Sequence, residues 1–97
     1  MKMSDVGAVD REIMLIAQEE CAEVTQAISK VFRFGFDSEY NGVTNYTRLN
    51  EEVGDLMCMI DLMIDAGIVN EAAVMTAKAE KLAKLSVWSN INGSTTN

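Results

Sequence analysis

Histidine is absent from the 97 residues of this chain, and its absence excludes several kinds of chemistry. Ser-His-Asp and Cys-His nucleophilic sites need an imidazole as their base. The Glu-x-x-His motif of di-iron helical bundles needs an imidazole as a metal ligand. A metal held by this chain is therefore expected to have oxygen ligands, which are the ligands that Mg²⁺ and Mn²⁺ prefer.

Positive charge is also scarce. Eight Lys and Arg residues stand against fifteen Asp and Glu residues, which gives a net charge of −7. Proteins bind nucleic-acid backbones with clustered Lys and Arg, so a nucleic-acid partner is not expected. An anionic ligand would need a bridging cation.

Long apolar runs are missing, although 48% of the residues are hydrophobic. No run approaches the roughly 18 residues of a membrane span, and no signal segment opens the chain. We expect a soluble, cytoplasmic protein without a membrane partner. Cys21 and Cys58 each stand among apolar helical positions. This pattern favours buried, reduced structural thiols over a disulfide or a zinc site.

Apolar residues recur at three- and four-residue steps in three segments, which predicts three α-helices at about 8–32, 46–66 and 71–88. The Gly- and Asn-rich stretch 35–46 is expected to be a loop, or a loop with one helical turn. The chain is therefore predicted to be all-α.

Helix ends are marked by single residues. Asp5 or Asp10 is a candidate N-cap of the first helix, and Asn70 is the candidate N-cap of the third. Gly67 is expected to follow the end of the second helix in a left-handed conformation.

The whole chain, 1–97, is predicted to be a single domain, loosely ordered over residues 1–7 and disordered over about 89–97. Apolar residues lie on nearly every side of the second helix, which one subunit of this size cannot cover. We therefore expect a helical bundle completed by oligomerisation, as a homodimer or a homotetramer.

Two pairs of acids lie within the apolar helical patterns: Glu20 with Glu23 in the first helix, and Glu52 with Asp55 in the second. The i, i+3 spacing directs both members of a pair to nearly the same side. Buried carboxylates that converge without cationic partners repel one another strongly, and a divalent metal would relieve that repulsion. The four acids are therefore candidate metal ligands.

The second helix has two apolar flanks. Its main stripe consists of Leu49, Val53, Leu56, Met57, Ile60 and Ile64, and its second flank of Met59, Leu62 and Met63. Glu52 and Asp55 project towards the second flank.

The pattern Glu19-Glu20-Cys21-Ala22-Glu23, followed by Glu51-Glu52-Val53-Gly54-Asp55-Leu56, resembles the signature of the MazG-like nucleotide pyrophosphohydrolases. The likeness covers roughly residues 11–88, and the size is similar to that of the small, often phage-encoded members. The resemblance implies an all-α bundle that hydrolyses nucleoside triphosphates to the monophosphate and pyrophosphate with Mg²⁺, for which Mn²⁺ is able to substitute.

Matching motif positions makes Glu20, Glu23, Glu52 and Asp55 the implied metal ligands. Glu19 matches the first Glu of the pattern, so it is a candidate to orient or deprotonate the attacking water. The alternative for Glu19 is a solvent-facing acid, because it turns about 100° away from Glu20 on the helix.

Cations are the expected contacts of the substrate phosphates. Lys30 and Arg33 lie at the end of the first helix. On the third helix Lys78, Lys81 and Lys84 recur every three residues, and at least one, with Lys78 and Lys81 as the candidates, is expected to reach the phosphates of a nucleotide on a neighbouring subunit. Solvated lysines are the alternative. The candidate aromatic contacts of the base are Phe32, Phe34, Phe36, Tyr40, Tyr46 and Trp88. Asn41, Asn45 and Asn50 are candidates for reading polar groups of the nucleoside, or serve as turn and cap residues.

Base identity stays open. The resemblance to phage members favours dGTP or GTP, while dUTP and dCTP are alternatives. A noncatalytic helical interaction module, in which the acids form only a charged face, is the competing class of function. The chain also lacks a glycine-rich phosphate cradle, so attack is expected at the α-phosphorus rather than the γ-phosphorus.

Overall fold

The computed structural model describes residue 2 and residues 5–91, and it is predominantly helical over them. Helix α1 spans Ala8–Phe34, α2 spans Asn45–Asp65 and α3 spans Glu71–Trp88. These bounds lie within two residues of the predicted ones. The disorder predicted for both ends falls partly on residues 1, 3, 4 and 92–97, which lie outside the described residues.

A small β-hairpin stands between α1 and α2, so the prediction of a loop with or without a helical turn is wrong there. Strands β1 (Glu39–Tyr40) and β2 (Val43–Thr44) pair antiparallel. The connecting residues Asn41 and Gly42 both have positive φ, 54° and 78°. An Asn-Gly pair adopts this conformation readily, and the resulting turn matches the twist of a hairpin.

The helix ends bear out two of the predicted boundary residues. Asn70 caps α3, since its Oδ1 accepts a hydrogen bond from the Ala73 N–H at 2.9 Å. Gly67 follows α2 with φ 72°. The predicted caps of α1 are wrong: a glycine occupies the N-cap position and no side chain caps that end, so neither Asp5 nor Asp10 does so.

Helices α1 and α2 pack as an antiparallel pair along one seam. The less exposed positions of both helices recur every three or four residues, as in helices that cross at a small angle. On α1 they are Asp10, Ile13, Met14, Ala17, Glu20, Val24, Ala27 and Val31. On α2 they include Asn45, Leu49, Glu52, Leu56, Met59 and Met63. Only Ala17, Ala27 and Met59 form a buried apolar core within the described residues.

The face of α2 that packs on α1 takes residues from both predicted flanks and does not follow either one alone. Met59 is 7% exposed, whereas Val53 and Met57 of the main stripe are 40% and 60% exposed. The predicted burial of the thiols is also wrong in this chain, because Cys21 and Cys58 are both exposed. Each cysteine follows or precedes a seam residue by one position, which turns it about 100° away from the partner helix.

Helix α3 makes few contacts with the α1–α2 pair, and it has no buried residue. The radius of gyration is 16.6 Å, compared with about 13 Å expected for a compact chain of this length. Apolar side chains of α3 such as Met75 and Leu82 are roughly half exposed. No helix in the described part of the chain has the length and apolarity that a bilayer crossing requires.

These uncovered surfaces lead us to expect a homo-oligomer, a dimer at least and a tetramer if two dimers associate. Covering Val53, Met57 and Leu82 would bury apolar area that one chain leaves in water. Light scattering at micromolar concentration measures the mass directly. A stable monomer would contradict the expectation.

The junction of α1 and α2 depends on Asn45, which is 6% exposed. Its Nδ2 donates to the Gly35 carbonyl at 2.9 Å and to the Lys30 carbonyl at 3.4 Å. We predict that Asn45→Ala lowers the free energy of unfolding by about 1–3 kcal/mol, because two carbonyls lose a donor at a buried position. Denaturant titration at fixed protein concentration measures it.

The matched control is Asn50→Ala, which removes an exposed hydrogen bond from Nδ2 to the Tyr46 carbonyl within α2. We expect a change within about 0.5 kcal/mol there. Equal losses in the two variants would show that Asn45 has no special role at the junction.

Candidate metal centre

Three of the four predicted ligands converge across the seam. One carboxylate oxygen from each of Glu20, Glu52 and Asp55 lies within 4.8 Å of the others. Glu20 and Glu52 are half-buried seam residues, and Asp55 lies one turn beyond Glu52 on α2 and is exposed. The antiparallel packing of α1 and α2 thus brings together acids that are more than thirty residues apart in sequence.

Glu20 has an unpartnered oxygen. Its Oε2 is buried and accepts no hydrogen bond within the part of the chain that the structure describes. A buried polar atom normally has a partner, because leaving it without one costs free energy. A ligand that supplies positive charge would therefore satisfy this oxygen.

The electrostatic surroundings of Glu20 are negative. Burial raises the pKa of its carboxyl group, and the charges of Asp55, Glu23 and Glu19 raise it further. All three neighbours carry the same sign as the glutamate, so each disfavours its ionised form.

Glu52 interacts with Glu23, the fourth predicted ligand, as well as with Asp55. Burial raises the pKa of Glu52 first, and hydrogen bonding to Glu23 and Asp55 and the charges of both acids raise it further. A hydrogen bond between two carboxyl groups requires a proton on one of them, so this arrangement favours a protonated Glu52 when no cation is bound. All four predicted ligands therefore act on one another, although Glu23 lies outside the closest triad.

Glu19 lies on a different side of α1. It is exposed and lines a shallow surface groove with Leu15, Ile16 and Ala22. The cleft beside the cluster is lined instead by Glu23 and Glu52. Glu19 thus contributes negative charge to the cluster without sharing its cleft.

A cleft of about 200 Å³ adjoins the carboxylates. Glu23, Gln26, Ala27 and Lys30 of α1 line it together with Tyr40, Asn45, Arg48 and Glu52. A second cleft, of about 360 Å³, shares Lys30, Tyr40, Asn45 and Arg48 with the first and adds Phe34, Ser38 and Glu39. The two form one groove that starts at the acids and ends at the hairpin.

The predicted phosphate contacts are dispersed. Lys30 lines both clefts. Arg33 lies over the Phe34 ring, with 5.0 Å between its Cζ and the ring centroid. Lys78 and Lys81 line a separate apolar groove on α3, so within one chain they do not share the groove beside the acids.

The aromatic candidates separate in the same way. Tyr40 lines both clefts and Phe34 lines the second. Phe36 and Tyr46 meet edge to face at 6.2 Å between ring centroids, and Phe32 and Trp88 are more than 80% exposed.

The asparagine candidates have local roles. Asn41 forms the hairpin turn, Asn45 connects α1 with α2, and Asn50 bonds within its own helix. Of the three, only Asn45 lines the clefts.

Arg48 is the cleft residue that the sequence analysis missed. It lies one helical turn before Glu52, and its Nη2 donates to the Tyr40 carbonyl at 3.5 Å. The available signal was its i, i+4 spacing to Glu52, which places both residues on the same helix face.

Comparison of the chain with protein-family models, with curated proteins and with solved structures finds no match in any of the three. The chemistry of the site is therefore argued from its own residues.

We predict that Glu20→Gln stabilises the metal-free protein at neutral pH. The folded-state pKa of Glu20 is raised above its ordinary value of 4.5, so the folded state binds more protons than the unfolded state in the window above pH 4.5. The free energy of unfolding of the parent protein therefore falls as pH rises through that window. The variant lacks this penalty.

Thermal unfolding in EDTA across pH 4–7 measures the difference. The two proteins should agree near pH 4, and the variant should become the more stable one as pH rises. The exposed substitution Glu80→Gln on α3 controls for the loss of one charge. A constant difference across the range would show that the cluster does not penalise ionised Glu20.

Proposed function

We propose that this chain is a Mg²⁺-dependent nucleoside triphosphate pyrophosphohydrolase of the MazG-like type, with Mn²⁺ able to substitute. The single observation that carries the proposal is the buried, unpartnered Glu20 oxygen at a point where Asp55, Glu23 and Glu19 add negative charge. The proposed protein acts in the cytoplasm as a homodimer or homotetramer.

The donor set fits a hard divalent cation. Carboxylate oxygens are the ligands that Mg²⁺ prefers, and no imidazole is present to favour a softer metal. Glu20, Glu52 and Asp55 would hold the ion, with Glu23 beside them. When bound, Mg²⁺ supplies positive charge that screens the acids from the triphosphate and stabilises charge on the phosphoryl oxygens.

The groove supplies the substrate contacts. Lys30 and Arg48 present cations and Tyr40 presents a ring beside the acids, and Phe34 presents a second ring further along. Lys78 and Lys81 would contribute only from a neighbouring subunit.

In the proposed reaction, a water oxygen bonds to the α-phosphorus and the bond to the α,β-bridging oxygen breaks. Pyrophosphate leaves with that electron pair. A carboxylate takes the water proton. Glu19 is the candidate by its position in the motif, and to act it would have to reach the cleft from the neighbouring groove that it lines. The nucleoside monophosphate retains the water oxygen.

A hydrolysis panel over the ribo- and deoxyribonucleoside triphosphates in ¹⁸O-water tests the proposal. We expect Mg²⁺-dependent release of pyrophosphate, with the label in the monophosphate. The same panel identifies the preferred base, which we expect to be that of dGTP or GTP, with dUTP and dCTP as alternatives. Label in orthophosphate, with a nucleoside diphosphate released, would indicate a phosphatase. Absence of any hydrolysis would favour a noncatalytic interaction module.

Substitution of the four acids tests their role in the proposed reaction. We predict that Glu20→Gln, Glu23→Gln, Glu52→Gln and Asp55→Asn each reduce turnover about 100-fold or more, as expected for loss of a preorganised charge in the site. Asp61→Asn and Glu80→Gln change exposed acids by the same chemistry and should leave turnover near the parent value. Near-normal activity in two or more cluster variants would contradict the assignment.

A further inference from the structure

The groove beside the acids has an internal order. Glu23 and Glu52 line only the first cleft, and Phe34 lines only the second. Lys30, Arg48 and Tyr40 line both, so the two cations and the tyrosine ring lie between these acids and Phe34. A nucleotide whose metal lies at the acids would extend its phosphates past the two cations and its nucleoside towards Tyr40 and Phe34.

Arg48 is held in a defined place. Its side chain is half-buried, and its contact with the Tyr40 carbonyl joins α2 to the hairpin. A guanidinium has five N–H donors in a planar fork, so one contact leaves most of them for a ligand. Two parallel N–H groups of that fork match two oxygens of a phosphate.

The hairpin lines the groove beside these cations. Tyr40 is 68% exposed although it is a large ring, and it lines both clefts. Ser38 and Glu39 beside it offer oxygens that accept hydrogen bonds from hydroxyl groups. A ring with such acceptors next to it suits a nucleoside, whose base stacks and whose sugar donates hydrogen bonds.

We propose that Arg48 binds the phosphate chain of a nucleotide and that Tyr40 on the hairpin contacts its nucleoside. The inference rests on the proposed function for the class of ligand, but it concerns binding and does not require hydrolysis. It makes the hairpin the element that distinguishes a nucleotide from an inorganic polyphosphate.

Calorimetric titration of the intact protein with Mg²⁺ and two probes tests Arg48. The probes are an α,β-imido analogue of dGTP or dUTP, which resists cleavage at the α-phosphorus, and inorganic tripolyphosphate, which has phosphates only. Arg48→Ala should weaken both by about tenfold to a hundredfold. Arg11→Ala removes the same charge near the start of α1 and should leave both affinities unchanged.

Two further variants separate phosphate binding from support of the hairpin. Arg48→Gln retains an N–H donor for the Tyr40 carbonyl but has no charge, and Arg48→Lys retains the charge without the fork. If Arg48 binds phosphate, Arg48→Gln should bind both probes as weakly as Arg48→Ala does, and Arg48→Lys should recover part of the affinity. Full affinity in Arg48→Gln would assign Arg48 a purely structural role and overturn the proposal.

Tyr40 is tested by the difference between the probes. Tyr40→Ala should weaken the imido analogues by about fivefold to a hundredfold, the range of one lost base stack, and leave tripolyphosphate unchanged. Tyr40→Phe should retain the affinity. Equal affinity of parent and Tyr40→Ala for the analogues of both dGTP and dUTP would overturn this half of the proposal.

The outcomes separate this inference from the proposed function. Arg48-dependent binding without hydrolysis of any triphosphate would uphold the inference and refute the enzyme. Hydrolysis of a triphosphate by the parent protein, together with unchanged probe affinities in Arg48→Ala, would uphold the enzyme and refute the inference. A parent protein that binds neither probe with Mg²⁺ would overturn the inference.

Discussion

Repulsion between carboxylates inside a helix seam is the constraint on which this structure depends. Glu20 and Glu52 occupy seam positions where an apolar side chain would pack without electrostatic cost, and both have raised pKa values because burial and neighbouring acids disfavour their charge. The apolar core beside them is small, with Ala17, Ala27 and Met59 as its buried members among the described residues. Packing of α1 on α2 therefore works against the acids unless protons or a cation neutralise them. A cation bound at this seam would therefore also stabilise the packing of the two helices.

The groove is built from the same packing. Asn45 bonds to carbonyls at the end of α1 and is itself the first residue of α2, so it fixes where the hairpin leaves and re-enters the helix pair. Arg48, one turn later, contacts the hairpin carbonyl of Tyr40 and faces the same groove as Glu52. The positions of the acids, of Arg48 and of the Tyr40 ring thus all depend on the junction of α1 and α2, so a shift of that junction would move all of them.

The features that could be predicted from the sequence are those determined by residues close together in the chain. The three helices, the Asn70 cap and the Gly67 terminus depend on residues close in sequence, and the spacing of the acids placed Glu20 and Glu52 on inward faces. The hairpin was missed because a Gly- and Asn-rich stretch was interpreted as an unspecific loop, although Asn41-Gly42 is a hairpin turn. Arg48 was missed because an arginine four residues before a glutamate is usually a solvated pair on a helix surface.

Which apolar residues of α2 face α1 was beyond local chemistry altogether. Periodicity identifies an apolar face but does not say whether its partner is in the same chain or in another. Within this chain α1 covers Met59, while Val53 and Met57 remain exposed. These two residues lie about 100° and 140° around the helix from Glu52. Association through Val53 and Met57 would therefore leave the carboxylates facing α1, so that α2 carries the metal ligands on one face and the subunit contact on another.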